Sequence, residues 1–164
     1  MGWTWVLVIV GVLLAVGRLG AVWSSGPRAR RAFERATSLS TQKDWPGAEA
    51  ELRKAVRLVP GIATLRRALA GVLSHQEKFA EAEEHLRMAS QLEPRNALVH
   101  LDLGVFLAVC PPQRPEEAID AFEQALDLEP QLANMLRRSK DLAHLREFDR
   151  FRSLIESESG GPST

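Results

Sequence analysis

The chain has 164 residues, with 21 basic side chains, 21 acidic side chains, four histidines and a single cysteine. Its balanced charge lacks the basic excess that is typical of nucleic-acid binding, and one cysteine excludes an internal disulfide. The length allows one domain of about 130 to 140 residues and one further short segment.

The amino-terminal segment is predicted to be a transmembrane anchor over residues 1–24. From Trp3 to Trp23 the chain has 21 residues, of which only Arg18 is charged. A helix of that length is about 31 Å long, close to the roughly 30 Å hydrocarbon core of a bilayer. A cleaved secretory signal is the alternative, but no basic residue precedes the apolar run and no small-residue cleavage motif stands out. Pairs of small residues four apart permit a homo-oligomer through this helix: Gly11 with Ala15, and Gly17 with Ala21.

The residues that flank this segment predict its orientation. Arg18 lies near the carboxyl end of the segment, Arg28, Arg30 and Arg31 follow it, and no acidic residue precedes Glu34. The positive-inside rule then leaves Met1 outside and the main domain in the cytoplasm. The predicted protein is a single-pass inner (cell) membrane protein with a juxtamembrane linker at 25–28. An Arg-rich, Lys-poor composition favours a bacterial source.

Three later stretches share one pattern of small and large residues. Aligned on Pro60, Pro94 and Pro130, they recur at intervals of 34 and 36 residues, which is typical of stacked helical repeats. The two extra residues of the second interval are assigned to "CPPQRP", where a longer loop is tolerated. Small side chains permit close helix crossings and large ones fill the gaps beside them. The equivalent positions are Ala48, Ala82 and Ala118, then Leu52, Leu86 and Phe122, then Ala55, Ala89 and Ala125.

This pattern resembles the tetratricopeptide repeat family over residues 29 to about 130. The best matches are Leu103 with Gly104, the aromatic residues Trp45 and Phe79, and the alanine series above; the tryptophan usual early in the first helix is replaced by Ala32, Arg66 and His100. The resemblance implies an all-α fold in which the transmembrane helix precedes a right-handed α-solenoid. Its three helix-turn-helix repeats are expected at 29–62, 63–96 and 97–132, followed by a C-terminal capping helix at 133–157 and a disordered tail at 158–164.

The sequence contains no recognisable constellation for catalysis or metal binding. The four histidines are scattered, Cys110 has no motif around it, and no phosphate-binding glycine loop is present. Acidic clusters such as "EAEEH" are typical of solvated helix faces. We therefore expect no enzyme activity, cofactor or metal.

The resemblance implies that first-helix residues line a concave groove that binds a peptide. The positions that match are Arg30, Phe33, Glu34, Thr37, Thr64, Arg67, Ala68, Gly71, Leu98, Leu101, Asp102 and Val105. The groove residues that we select from them are Phe33, Thr37, Arg67, Leu98, Leu101, Asp102 and Val105. The aliphatic residues of the third repeat predict either an apolar partner segment or coverage by the chain's own capping segment.

The function that follows is a membrane-anchored scaffold or adaptor that recruits a protein or peptide partner to the membrane. The alternative is an exported assembly factor that faces the periplasm and serves an envelope complex. No nucleic-acid partner is expected, because residues 32 to 164 hold 17 basic and 21 acidic side chains.

Overall fold

The computed structural model describes residues 26 to 156. The predicted anchor at 1–24, its small-residue pairs and the predicted tail at 158–164 lie outside the described residues. Within residues 26 to 156, no helix combines the length and the apolar character needed to cross a bilayer.

All regular secondary structure in the described part of the chain is helical. Residues 26–41 form the first helix, α1. The following helices are α2 (Trp45–Leu58), α3 (Ala63–His75), α4 (Phe79–Leu92), α5 (Ala97–Val109), α6 (Pro115–Leu128), α7 (Ala133–Arg138) and α8 (Asp149–Glu156). Short 3-10 helices lie at Pro130–Leu132 and Ala143–Glu147.

Residues 26 to 28 of the predicted juxtamembrane linker at 25–28 are helical. A proline is tolerated in the first turn of a helix, because the N–H that it lacks would have no partner inside the helix there. The same reasoning explains why Pro46 and Pro115 lie in the first turns of α2 and α6.

The chain divides into two compact units, one that ends at Leu65 and one that begins at Arg66. In the first unit, α1 packs through small residues against α2 and the start of α3. Its buried cluster consists of Ala29, Ala32, Ala55 and Leu65, with Phe33, Val56, Leu58 and Val59 packed against it.

In the second unit, α5 packs against α4 and α6. Nine of the thirteen α5 residues are buried, which explains its almost continuous apolar sequence. The repeated alanine positions of α2, α4 and α6 are likewise buried, since Ala48, Ala82 and Ala118 are all 0% exposed. Small residues therefore lie at the helix crossings, as the repeat alignment predicts.

Equivalent hydrogen bonds close the turn inside each helix pair. The main-chain N–H of Asp44 donates to the Leu39 carbonyl, and that of Lys78 donates to the Leu73 carbonyl. Lys43 and Glu77, which precede these donors, both adopt a φ of 60°, a left-handed conformation that terminates the preceding helix.

In the third pair, the N–H of Arg114 donates to the Leu107 carbonyl at 2.9 Å. This turn therefore spans two more residues than the equivalent turns after Leu39 and Leu73. The placement of the two extra residues in "CPPQRP" is confirmed.

The C-terminal segment is not the single capping helix that the sequence predicts. We call residues 130 to 156 the C-terminal segment. It consists of the 3-10 turn at Pro130–Leu132, the six-residue α7, the 3-10 helix at Ala143–Glu147 and the eight-residue α8. Ser139 after α7 has extended backbone angles, and the polar "SKD" that begins there has no apolar residue to continue a buried face. Breaking the helix there lets apolar residues on both sides be buried: Leu136, Leu142, Leu145, Phe151 and Ile155.

Candidate functional site

A groove beside α5 contains four of the seven residues selected from the sequence: Arg67, Leu101, Asp102 and Val105. Its volume is about 500 Å³. Helices α3, α4 and α5 contribute to its walls, and the C-terminal segment adds one residue. We call this the α5 groove; its full lining is Arg67, Ala70, Gly71, Ser74, His75, Leu86, Leu101, Asp102, Val105, Phe106, Val109, Cys110 and Met135.

The accessible wall of the α5 groove is apolar. Val105 is 37% exposed, Val109 is 39% exposed and Met135 is 48% exposed. Beneath them Leu101 and Phe106 are each only 6% exposed. Val105 and Val109 are one helical turn apart, so α5 presents a continuous aliphatic strip to a bound molecule.

One ion pair interrupts this apolar lining. The Nε atom of Arg67 donates to the Oδ2 atom of Asp102 at 2.6 Å, with 20% and 38% of the two side chains exposed. The pair joins the first helices of two successive repeats. Because the two charges neutralise each other, the groove lacks the cationic clamp that a terminal carboxylate would require.

Cys110 lies at the carboxyl end of α5 and is partly buried. Burial raises the pKa of its thiol, and a hydrogen bond with Ser74 opposes this only in part. The thiol is therefore protonated at neutral pH, which makes it a poor nucleophile and a poor metal ligand. Among residues 26 to 156, no group of three or more His, Cys, Asp or Glu side chains could hold a metal ion.

The other three selected residues lie outside the α5 groove lining. Leu98, in the first turn of α5, is 41% exposed. Phe33 lines a second cavity of about 360 Å³ in the first unit, together with Arg30 and Thr64. Thr37 is exposed and donates its hydroxyl to the Phe33 carbonyl at 3.0 Å.

Eight residues of the α5 groove lining were not among the groove positions taken from the sequence: Ala70, Ser74, His75, Leu86, Phe106, Val109, Cys110 and Met135. Val109 could have been found, because it follows Val105 by one helical turn. Met135 could not have been found, because it belongs to the C-terminal segment. The sequence predicts one continuous helix there, and the break at Ser139 changes the path of the chain.

The C-terminal segment docks mainly on α6. The rings of Phe122 and Phe151 have centroids 5.9 Å apart, and Phe151 is 0% exposed. Arg150 adds hydrogen bonds of 2.7 and 2.5 Å to Glu123. In the described part of the chain, Met135 is the one residue of this segment that lines the α5 groove, so the segment leaves Val105 and Val109 exposed.

The helical arrangement is that of tetratricopeptide repeat domains. The chain is similar to the first such domain of Spaghetti (RPAP3) bound to an HSP90 peptide, at 20% identity and a TM-score of 0.60, covering 80% of this chain and 94% of that one. It is also similar to MamA, at 16% identity and a TM-score of 0.64, covering 79% of this chain and 73% of that one. Identities this low establish the fold and nothing further.

One curated relative has a detectable sequence match. The protein O-mannosyl-transferase Tmtc2 of Drosophila melanogaster is 32% identical over 98 residues, which are 57% of this chain and 10% of that protein. The chain thus corresponds to about a tenth of this relative. No family model matches the chain.

Proposed function

We propose that this protein is a membrane-anchored tetratricopeptide-repeat scaffold whose α5 groove binds an apolar segment of a protein partner. The observation that carries the proposal is the aliphatic strip of Val105, Val109 and Met135, each more than one-third exposed, in a groove of about 500 Å³. Apolar side chains gathered in a concave surface are typical of binding sites. The similar Spaghetti domain is bound to an HSP90 peptide, SRMEEVD, which supports a peptide or protein ligand. Because that peptide is charged, the proposed apolar character of the ligand rests on the α5 groove itself.

The chemistry of the groove favours the apolar face of a helix over a charged chain terminus. Arg67 and Asp102 neutralise each other, so neither a free carboxylate nor a free amine would gain a strong complementary charge. A row of Leu, Ile or Met side chains would bury the valines and Met135 instead. Burial of apolar surface contributes about 25 cal/mol per Å².

The membrane part of the proposal is supported by the 21-residue segment from Trp3 to Trp23. With the arginines on its carboxyl side, the repeat domain would face the cytoplasm from the inner membrane of a bacterium. Protease added to intact spheroplasts would spare the repeat domain in this arrangement. Digestion there would instead favour a periplasm-facing assembly factor.

A photo-crosslinking experiment tests the groove. Benzoylphenylalanine placed at Val109 in the full-length protein should crosslink to a discrete partner, and Val105→Glu should abolish that adduct. Because Val105 is exposed, its substitution should change the free energy of unfolding by no more than about 1 kcal/mol. Leu128→Glu on α6 is the matched control, since Leu128 is 39% exposed and lies outside the groove lining; it should leave the adduct intact.

Leu101 is not a suitable probe of the groove, although the sequence suggested it as one. It is 6% exposed, so Leu101→Glu would bury an unpaired charge and destabilise the fold by more than about 2 kcal/mol. An adduct that survives Val105→Glu at full yield would move the binding surface away from the α5 groove.

A further inference from the structure

The solvent-facing side of α1 carries a stripe of basic residues. Arg28, Arg31 and Arg35 follow one another at intervals of three and four residues, which places them on one helical face. All three are exposed. The alanines that pack α1 into its unit lie on a different face: Ala29, Ala32 and Ala36 are at most 3% exposed.

These guanidinium groups are poorly neutralised within the described part of the chain. Over residues 26 to 156, neither Arg28 nor Arg31 has an ion pair, and Arg35 reaches Glu51 only at 4.0 Å. By contrast, Arg30 pairs with Glu34 at 2.9 Å and lines the cavity that contains Phe33. The stripe is therefore separate from the residues predicted to bind a peptide.

The first unit as a whole shares the basic character of this stripe, whereas the second unit has an acidic excess. Residues 26 to 65 hold eight basic and four acidic side chains, whereas residues 66 to 156 hold twelve basic and sixteen acidic side chains. Positive charge is thus concentrated in the unit that follows the apolar segment directly. Arg28 comes five residues after Trp23, a spacing at which basic residues are held near a membrane surface when the preceding segment is inserted.

We infer that the Arg28, Arg31 and Arg35 face of α1 binds the anionic headgroups of the membrane to which the protein is attached. Guanidinium groups match phosphate through paired N–H donors. Each basic residue near an anionic surface strengthens binding by about fivefold, and three together by about a hundredfold. The contact would fix one face of α1 against the lipid.

The test uses the full-length protein in a Cys110→Ser, Ser38→Cys background, labelled at position 38 with an environment-sensitive fluorophore. Ser38 is exposed and follows Arg35 by three residues, so it extends the stripe. The protein is reconstituted in nanodiscs of phosphatidylcholine alone or with about 30% phosphatidylglycerol, a lipid content at which surface attraction is appreciable. Quenching by a headgroup spin label is the readout.

We expect quenching in the anionic discs that is lost in 0.5 M salt and in the Arg28→Gln, Arg31→Gln, Arg35→Gln triple variant. The matched control is the triple variant Lys43→Gln, Lys54→Gln, Arg57→Gln. It removes the same charge from exposed positions in the same unit and should retain quenching. Equal quenching in neutral and anionic discs, or equal loss in both triple variants, would overturn the inference. So would binding of a labelled RNA oligonucleotide that depends on the three arginines while quenching does not respond to lipid charge.

The outcome is distinguishable from that of the proposed anchor. Carbonate washing of vesicles tests insertion of the amino-terminal segment and does not depend on these arginines. If carbonate releases the protein while salt-sensitive binding to anionic vesicles persists, the anchor fails and the arginine face stands. If the protein resists carbonate but quenching does not depend on lipid charge, the anchor stands and the arginine face is rejected.

Discussion

Gly104 shows how closely α5 and α6 approach each other. A Cβ atom added at this glycine would lie 2.6 and 2.7 Å from two ring carbons of Phe122, far inside van der Waals contact. Phe122 is 0% exposed and its ring packs at a tilt against that of Phe151, so it has little freedom to move. The glycine at this repeat position is therefore required by packing.

Gly104→Ala is expected to destabilise the protein by about 1 to 3 kcal/mol, because the methyl group overpacks the contact with Phe122. Gly71→Ala in α3 is the control, because a Cβ there meets no atom within 4 Å. That substitution should stabilise the helix by about 0.5 to 1 kcal/mol, the difference in helix propensity between the two residues. Urea unfolding measures both changes in unfolding free energy. If both substitutions destabilise the protein, or both stabilise it, this account of the packing is contradicted.

The carboxylate of Glu83 accepts hydrogen bonds that connect α4 to the turn before α6. Arg114 donates to both of its oxygens, at 3.0 and 2.5 Å, and Arg87 donates at 2.8 Å. The hydrogen bond from Arg114 is the main cause that lowers the pKa of the Glu83 carboxyl, with burial opposing it and Arg87 adding to it.

Because the pKa of Glu83 is lower in the folded state, its stabilising contribution is fully present above the unfolded-state value, about 4.3. It is lost as the pH falls through the folded-state value. Glu83→Gln should therefore reduce the loss of unfolding free energy below pH about 4.5, by about 1 kcal/mol or less for a partly exposed ion pair. Urea titrations at several pH values measure this, with exposed Glu84→Gln as the control; identical acid profiles for Glu83→Gln and the parent would reject it.

At the scale of single helices, the sequence predicts the repeats well because their constraints are local. The burial of Ala82 and Ala89 follows from their spacing along one helix face, and both are 0% exposed. The added length of the third turn could likewise be read from the interval between Pro94 and Pro130. Such features depend on short-range periodicity, which can be read directly from the sequence.

The elements that were predicted less well depend on contacts distant in sequence. Leu101 was expected in the groove and does line it, but it is only 6% exposed, because α5 is enclosed between α4 and α6. The capping helix is broken at Ser139, where the choice between continuing and turning depends on burying Leu145 and Phe151 together. Neither outcome is encoded in the spacing of nearby residues.

The aromatic contact between Phe151 and Phe122 is the buried part of the attachment of the C-terminal segment to α6. Phe151→Ala should destabilise the protein by about 3 to 5 kcal/mol, since Phe151 is 0% exposed and its ring meets that of Phe122. Amide hydrogen exchange should show loss of protection first in α8. Leu154→Ala, a substitution at a half-buried position of the same helix, should cost less than half as much; equal effects would mean that Phe151 has no special role.

At the scale of the whole chain, charge and hydrophobicity change from the amino terminus to the carboxyl terminus. An apolar segment with one charge comes first, then a unit with a basic excess, then a unit with an acidic excess. Functions that need different surfaces can thus occupy different parts of one short chain. The α5 groove that we propose binds a partner and the α1 face that we infer binds lipid share no side chain.

The anchor itself gives the last prediction. If residues 1–24 insert as a helix, the full-length protein should stay in the membrane fraction after washing at alkaline pH in carbonate, because the bilayer core holds about 20 apolar residues irrespective of surface charge. A variant that begins at Pro27 should be released to the supernatant while keeping its helical circular dichroism. As a control, the full-length Arg28→Gln, Arg31→Gln, Arg35→Gln variant should remain carbonate-resistant, since the apolar segment is unchanged. Recovery of the full-length parent in the supernatant would reject the anchor. Recovery of a shortened species that lacks the first residues would reject the anchor and favour a cleaved signal.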